Sequence, residues 1–544
     1  MKEYLYKLFN DISLKLEYLK ESELVFSEPN IKEHGDISFA GAMKIAKTIK
    51  KNPLDIANEI KTEIEKNNIS EVFEKIEIAK PGFINFFFKK EFIGKSLLPV
   101  LMKSENFGKL DKYYGKTALV EFVSANPTGP LTVGHGRNAV YGDTVANLLS
   151  MVGYKVYREY YFNNAGRQMR TLGDSVRIRY LQELGQNIDF PEDYYQGEYI
   201  KEIAQKLKLE YNDTLIDEPA EGIFKEIAER EIFKDIDKTL NRLGIKFDFY
   251  FNENSLYENG KIKELLEIFA QKNMSYEKDA AIWIKLSELG NEQDKVIVKS
   301  TGEPTYRLPD MAYHIDKIKR NYDLIVDVFG SDHNATYPDV LAALKGLGYD
   351  ISKIKVLIHQ FVTIFRDGEI VKMSTRRANY ITLDELIDEV GADVVRYFFN
   401  MRSITSHLNF DLNLAKKQSE ENPVFYVQYA HARICSILRA IEKENIQPSV
   451  DNLSLLITEE EQDLIKKILK FEDEVLSAAE SFETHRITAY LEDLCSSFHK
   501  FYTFRRILGS EKKLAEARAA LCLAVKHTIE NGLGILGVSA PEKM

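Results

Sequence analysis

The sequence predicts an α/β protein: a doubly wound parallel sheet, with a smaller α+β domain before it and an all-α helical bundle after it. Three observations carry that expectation. Between about residues 111 and 390, short β-branched or apolar runs (TALVEFV, LIVDVFG and KVLIHQFVTIF) are each bounded by glycine, polar turns or helical patterns, as buried parallel strands joined by helical crossovers require. Residues 1–110 instead alternate helical stretches such as FAGAMKIAKTI with strand-like IEIAK and FINFFF around Pro81-Gly82, an α+β pattern. From residue 391 to 544 apolar side chains recur at three and four, as in Leu491, Leu494, Phe498 and Phe501, the period of helices that bury one face against each other. Within the middle region, residues about 190–300 are charge-rich and read as a mostly helical insertion between two halves of the sheet.

Composition narrows the class. A chain of 544 residues is too long for one ordinary core and implies two to four packed domains. Its 84 acids outnumber 73 bases, leaving a net charge of -11, so no bulk positive field draws it to nucleic acid or anionic lipid. Cys435, Cys495 and Cys522 are far apart and form no CxxC pair, which excludes a thiolate zinc site or disulfide framework and points to a reducing compartment. No apolar run approaches the ~20 residues that span a bilayer, and the expected address is the cytoplasm, with no membrane partner.

Two stretches carry chemistry. In SANPTGPLTVGHGRNAV a buried-type strand ends near Ser124, a Pro/Gly turn follows, and a helix is expected to start near Arg137. Gly134 and His135 then lie at a helix N-terminus, where backbone amides favour an anion. Far along the chain, FRDGEIVKMSTRR places a hairpin signal at Asp367-Gly368 and then delivers Lys372, Arg376 and Arg377 on a short loop, suited to charge on a transferring phosphoryl group.

Together the two stretches resemble the signature sequences of class I aminoacyl-tRNA synthetases, at Thr132-Val133-Gly134-His135 and at Lys372-Met373-Ser374-Thr375-Arg376. The wider wording, including YFNNAGRQM, GEPTYRLPDMAYHIDK, GSDHNA, VQYAHARI and LGVSAPEKM, is similar to the arginyl-tRNA synthetase family over nearly the whole chain. Thr132 stands where the family's first histidine does, and Thr375 where its second lysine does. The resemblance implies a Rossmann-like catalytic domain over residues 111–390 and a helical anticodon-binding domain over 391–544. The domain over 1–110 would contact the tRNA elbow.

It also implies ATP-dependent ligation of L-arginine to tRNA(Arg) through an arginyl-adenylate, with ATP bound as a magnesium complex and no tightly held metal or organic cofactor. The expected assembly is a monomer. Thr132, Gly134, His135, Lys372 and Ser374 would be catalytic, and Gly134, His135, Gly330, Asp332, His333, Lys372 and Met373 would bind ATP. Glu121, Ser124, Asn126, Tyr306 and Asp310 would bind arginine, whose planar guanidinium is best met by a carboxylate. Four residues separate Tyr306 from Asp310, which puts both on one face if the segment is helical. Phe83, Asn85, Tyr426, Tyr429 and Met544 match tRNA contacts. Phe498, Phe501 and Phe504, at helical spacing beside His499 and Arg505, read first as core. A smaller nucleotidyltransferase would share the first motif but not the flanking domains, and the two threonines raise the alternative of a non-catalytic tRNA-binding relative.

Overall fold

The computed structural model describes residues 1–544 apart from 21, 23, 30 and 372–380. At the N-terminus, β1 (Phe26–Ser27), β2 (Ile37–Phe39), β3 (Phe73–Ala79) and β4 (Phe83–Phe88) form an antiparallel sheet in the order β1-β2-β4-β3. Its aromatic residues Phe26, Phe39, Phe73 and Phe86 pack on Phe9 of the first helix or on each other.

The central sheet is wholly parallel. It joins β5 (Thr117–Glu121), β6 (Lys155–Phe162), β7 (Phe249–Asn252), β11 (Leu324–Gly330) and β12 (Ile354–His359) in the order β12-β11-β5-β6-β7. Strand order therefore runs outward in both directions from the β5–β11 pair, and a doubly wound sheet opens its ligand crevice at the carboxyl ends of such a pair. Ala118, Leu119 and Val120 in β5 and Val326 in β11 are fully buried, as strands covered on both faces must be.

Helices fill much of the stretch 190–300, as expected, but it also carries strands that the sequence did not announce. Its β7 belongs to the central sheet, pairing with β6 from Glu159–Phe249 to Phe162–Asn252. A second, antiparallel sheet of β8 (Ser275–Lys278), β9 (Ala281–Ile284) and β10 (Lys295–Val298) follows it. Four-residue strands in a charged background carry too little periodicity to stand out from helix in the sequence. A last small sheet joins β13 (Val362–Arg366), β14 (Glu369–Ile370) and β15 (Leu408–Asp411). Asp367 and Gly368, both at positive φ, turn β13 into β14 as the hairpin signal requires.

The C-terminal region is helical, from Pro423–Lys443 to Lys512–Leu536. Leu491, Leu494, Phe498 and Phe501 are fully buried, whereas Phe504 is exposed, so the aromatic stripe is core except at its end. Among the described residues no helix is long and apolar enough to cross a membrane.

One buried arginine ties the bundle to the sheet. Arg396 donates to the Leu536 carbonyl (2.7 Å), the Leu243 carbonyl (2.7 Å) and Asp143 Oδ2 (2.6 Å). Arg158 takes the other oxygen of Asp143 at 3.1 Å. Gly537 closes the last helix at φ +66, and a Cβ there would lie 2.2 Å from the Arg396 guanidinium. Replacing Arg396 by Met strips two buried carbonyls and half of Asp143 of their donors, which costs about 3–5 kcal/mol. The expected outcome is a lowered urea midpoint for the Arg396→Met chain, read by circular dichroism against the unsubstituted chain.

Candidate functional site

Three carboxylates stand side by side on adjacent strands: Asp327 of β11 is in register with Glu121 of β5, and Glu121 with Glu159 of β6. All three are buried. The helix Arg307–Lys319 lies against them and supplies the partners. Lys317, fully buried, bonds Glu121 Oε2 and, at 2.5 Å, Asp327 Oδ1. Glu159 accepts from Tyr313 Oη (2.6 Å) and from both terminal nitrogens of Arg320. Burial opposes ionisation of Asp327, yet Lys317 and His314 outweigh it and hold the carboxyl below its usual range. The same carboxylates outweigh burial at Lys317 and raise its pKa.

The loop after β5 continues this arrangement. Ser124 donates to Glu121 Oε1 at 2.8 Å and accepts from the Tyr161 amide at 3.2 Å. Val123 and Ser124 both sit at positive φ, a conformation costly for β-branched valine. It is held by Asn138, whose Oδ1 accepts from the Val123 amide at 2.6 Å while its Nδ2 donates to the Val328 carbonyl at 2.8 Å. Asn126 is pinned by the Asn163 amide (3.0 Å) and by Gln168 (3.0 Å).

Asp310 lies in the first turn of the Arg307–Lys319 helix, half-buried, and no donor among the described residues bonds its carboxylate. Tyr306 is the residue before that helix and is 76 % exposed, so the four-residue spacing brings Asp310 inward and leaves Tyr306 at the rim. A further acid, absent from the sequence reading, accompanies Asp310: Glu253, 7 % exposed, accepts from Tyr161 Oη (2.5 Å) and Asn163 Nδ2 (2.7 Å). Burial raises the pKa of Glu253, and the Asp310 charge adds to that rise. Glu253 follows FYFN in a stretch read as insertion, and only the pairing of β7 with β6 carries it to the crevice.

On the other side of β5, the helix Val133–Met151 points its N-terminus at the crevice. It begins at Val133 and not near Arg137, because Thr132 caps it. The Thr132 hydroxyl takes the His135 amide at 3.5 Å, and the Thr132 amide donates to His135 Nδ1 at 3.2 Å. Thr132 thus has a capping role at the position of the family's first histidine. With Nδ1 an acceptor, the His135 proton is on Nε2, free to donate outward, and burial keeps the ring neutral by lowering its pKa. A Cβ at Gly134 would meet nothing closer than 3.7 Å, so the backbone there is open to a ligand.

Gly330 ends β11 and Asp332 and His333 follow it, across from His135. Asp332 folds back so that its Oδ1 is 2.5 Å from where a Gly330 Cβ would sit, and His333 stacks on Phe329 at 4.8 Å. His359, at the end of β12, was not foreseen; burial first, then Arg137 and His135, lower its pKa to about 4. Buried Arg137 reaches the carbonyls of Gln360 (2.7 Å), Ser403 (3.0 Å) and Ser406 (2.9 Å), tying this helix to the start of the β13–β14 hairpin. Lys372, Met373 and Ser374, with Thr375, Arg376 and Arg377, lie beyond that hairpin and outside the described residues.

The distant candidates are dispersed. Asn85 is buried on β4 and accepts from Ser38 Oγ at 2.7 Å, while Phe83 is half-buried. Tyr426 packs on His499 and Tyr429 stacks on Phe425; Met544 is 56 % exposed.

The Thr132 cap yields a stability expectation. Thr132→Ala should destabilise the chain by about 0.5–2 kcal/mol, and Thr132→Ser should restore it, as measured by urea unfolding.

Comparison with known proteins agrees with this geometry. Three family models match: "Arginyl tRNA synthetase N terminal domain" at residues 2–88, "tRNA synthetases class I (R), catalytic domain" at 97–399, and "DALR anticodon binding domain" at 427–544. The arginine–tRNA ligase of Salinibacter ruber is 48% identical over 540 residues, covering 96% of each chain. That of Chlorobium limicola is 47% identical over 558 residues, covering 100% of each. The fold of Thermus thermophilus arginyl-tRNA synthetase superposes with a TM-score of 0.76 at 22% identity, covering 100% of both chains. Near-complete coverage at such identity shows that the chain belongs to the arginyl-tRNA synthetase family, within class I of the aminoacyl-tRNA synthetases.

Proposed function

We propose that this chain ligates L-arginine to tRNA(Arg) at the expense of ATP, through an arginyl-adenylate. The observation that carries the substrate is the acid pair Asp310 and Glu253 at the carboxyl end of the central sheet. The Asp310 carboxylate has no donor among the described residues, and a guanidinium supplies the planar donors it lacks. Glu121 and Ser124, tied to the helix of Asp310 through Lys317, and Asn126 in the loop after β5 suit the polar groups of the amino-acid backbone. Tyr306, exposed just before the same helix, is our candidate to cover the guanidinium.

The chemistry needs no covalent enzyme intermediate. The arginine carboxylate attacks the α-phosphorus of ATP, pyrophosphate leaves, and the ribose hydroxyl of the terminal tRNA adenosine then displaces AMP. The chain's part is positioning and charge stabilisation. Gly134 leaves room for the nucleotide, and His135 offers an Nε2–H to a phosphate or ribose oxygen. Gly330, Asp332 and His333 suit the nucleoside end. Lys372, Met373 and Ser374 would complete the phosphate side, with magnesium arriving on ATP. Phe83, Asn85, Tyr426, Tyr429 and Met544 are our candidates for tRNA contact. Half-burial of the two tyrosines and exposure of Met544 support the last three. The boundaries 1–110, 111–390 and 391–544 remain our proposed division. Three unbridged, buried cysteines support a cytoplasmic address, and we propose a monomer.

Asp310→Ala should lower kcat/KM for arginine by ~2–5 kcal/mol equivalent, with the KM for ATP little changed, because it leaves a desolvated cation unpaired. Arginine-dependent ATP–pyrophosphate exchange reads this directly, and unchanged arginine kinetics would remove Asp310 from the site. The same assay run with and without tRNA(Arg) should show exchange only with tRNA; silence in both would point to a non-catalytic relative.

A further inference from the structure

His314 is a buried residue to which the proposed mechanism gives no part. Its Nδ1 lies 2.8 Å from the backbone carbonyl oxygen of Asp310, and its Nε2 lies 3.1 Å from Asp327 Oδ2. A carbonyl oxygen only accepts, and the Asp327 carboxylate already takes a proton donor from Lys317, so it too is an acceptor. Both ring nitrogens must donate. Charge favours the same form: only two cations, Lys317 and Arg320, stand among the carboxylates of Asp327, Glu121 and Glu159, with Asp310 a fourth acid beside His314.

The hydrogen bonds are continuous. From the Asp310 carbonyl they run through His314, Asp327, Lys317 and Glu121 to Ser124 Oγ and the Tyr161 amide. One chain of charge-assisted bonds therefore joins the proposed guanidinium end of the arginine pocket to its α-amino and carboxylate end. We propose that His314 is a positioning residue for arginine selection, an imidazolium that fixes the first turn of the Arg307–Lys319 helix and keeps the Asp310 carboxylate charged for the substrate.

The groups that bear on the two residues are few. His314 is faced by Asp310, Tyr313 and Lys317 of its own helix and by Asp327 of β11. Burial and Lys317 oppose its charge, yet the bond to Asp327 and the charges of Asp327 and Asp310 outweigh them and raise its pKa. Asp310 senses His314 and Lys317 on its own helix, Asp327 on β11, His333 after it, and the acid Glu253 with Tyr161 and Tyr257 across the crevice. Burial raises the Asp310 pKa, and His314 is the foremost group that holds it back. Ionised Asp310 is the form that binds arginine, so affinity is full above its pKa and is lost as pH falls through it. Removing the His314 charge moves that loss to higher pH.

This inference rests on the arginine reading of Asp310, and the experiment separates the two. His314 and Asp310 variants are compared as full-length chains by ATP–pyrophosphate exchange with tRNA(Arg) across the acid range. His314→Gln should raise the KM for arginine about tenfold, leave the KM for ATP within about twofold, and shift the acid limb of kcat/KM for arginine upward in pH. Wild-type arginine KM and an unshifted limb in His314→Gln, alongside a large arginine defect in Asp310→Asn, would overturn the role of His314 alone. No arginine defect in Asp310→Asn would overturn the underlying reading. Should His314→Gln not fold, histidine ring 15N spectra of the unsubstituted chain decide: the signal that moves on Asp310→Asn and persists in His333→Gln must show both nitrogens protonated at neutral pH. A singly protonated ring there would overturn the proposal.

Discussion

The site depends on a row of three buried carboxylates across the central sheet. Asp327, Glu121 and Glu159 are neighbours in register on β11, β5 and β6, and three adjacent negative charges out of water would not stay folded unpaired. An uncompensated buried charge costs several kcal/mol. The Arg307–Lys319 helix and Arg320 just beyond it answer all three at once, through Tyr313, His314, Lys317 and Arg320. Three attachments along the helix and a fourth just past its end leave it a single rotation and a single height over the sheet. Asp310, one turn before His314, has its place fixed as a result.

That arrangement explains why a charged pocket can exist in the middle of the molecule. The structural carboxylates are satisfied within the protein, whereas Asp310 has no donor among the described residues, and the acid beside it, Glu253, is held by neutral donors from Tyr161 and Asn163. The unbalanced negative charge is therefore concentrated where a cation would enter. On the opposite side of β5, a neutral His135 and an open helix N-terminus present donors without a fixed positive charge. The two halves of the crevice thus favour opposite ligand charges.

Two buried arginines connect this crevice to the rest. Among the described residues Arg137 bonds only backbone carbonyls, and burial lowers its pKa to about 10. It links the nucleotide-side helix to the root of the β13–β14 hairpin. Arg396 links the same helix, through Asp143, to the end of the last bundle helix. A displacement of the helical domain would therefore be felt at Asp143, on the helix whose N-terminus carries His135. The acidic surface implied by a net charge of -11 leaves RNA contact to local aromatic and cationic features, a means of limiting nonspecific retention.

Much was legible in the residue order. The strand-like runs marked β5, β11 and β12, the Asp-Gly pair marked the β13–β14 turn, and the period of the last third marked a bundle whose core holds Phe498 and Phe501. These are local signals, set by side-chain period and turn chemistry. Glu253, His359 and the capping role of Thr132 were not legible. Nor was the departure of Tyr306 from the Asp310 face, because the helix starts one residue after it. Pairing between strands far apart in sequence decided which carboxylates became neighbours, and that neighbourhood decided which were neutralised and which were left for a ligand. Sequence by itself determined the elements and the motif loops; the tertiary structure alone decided the charge balance, because burial and register, not residue type, settle whether an acid has a partner.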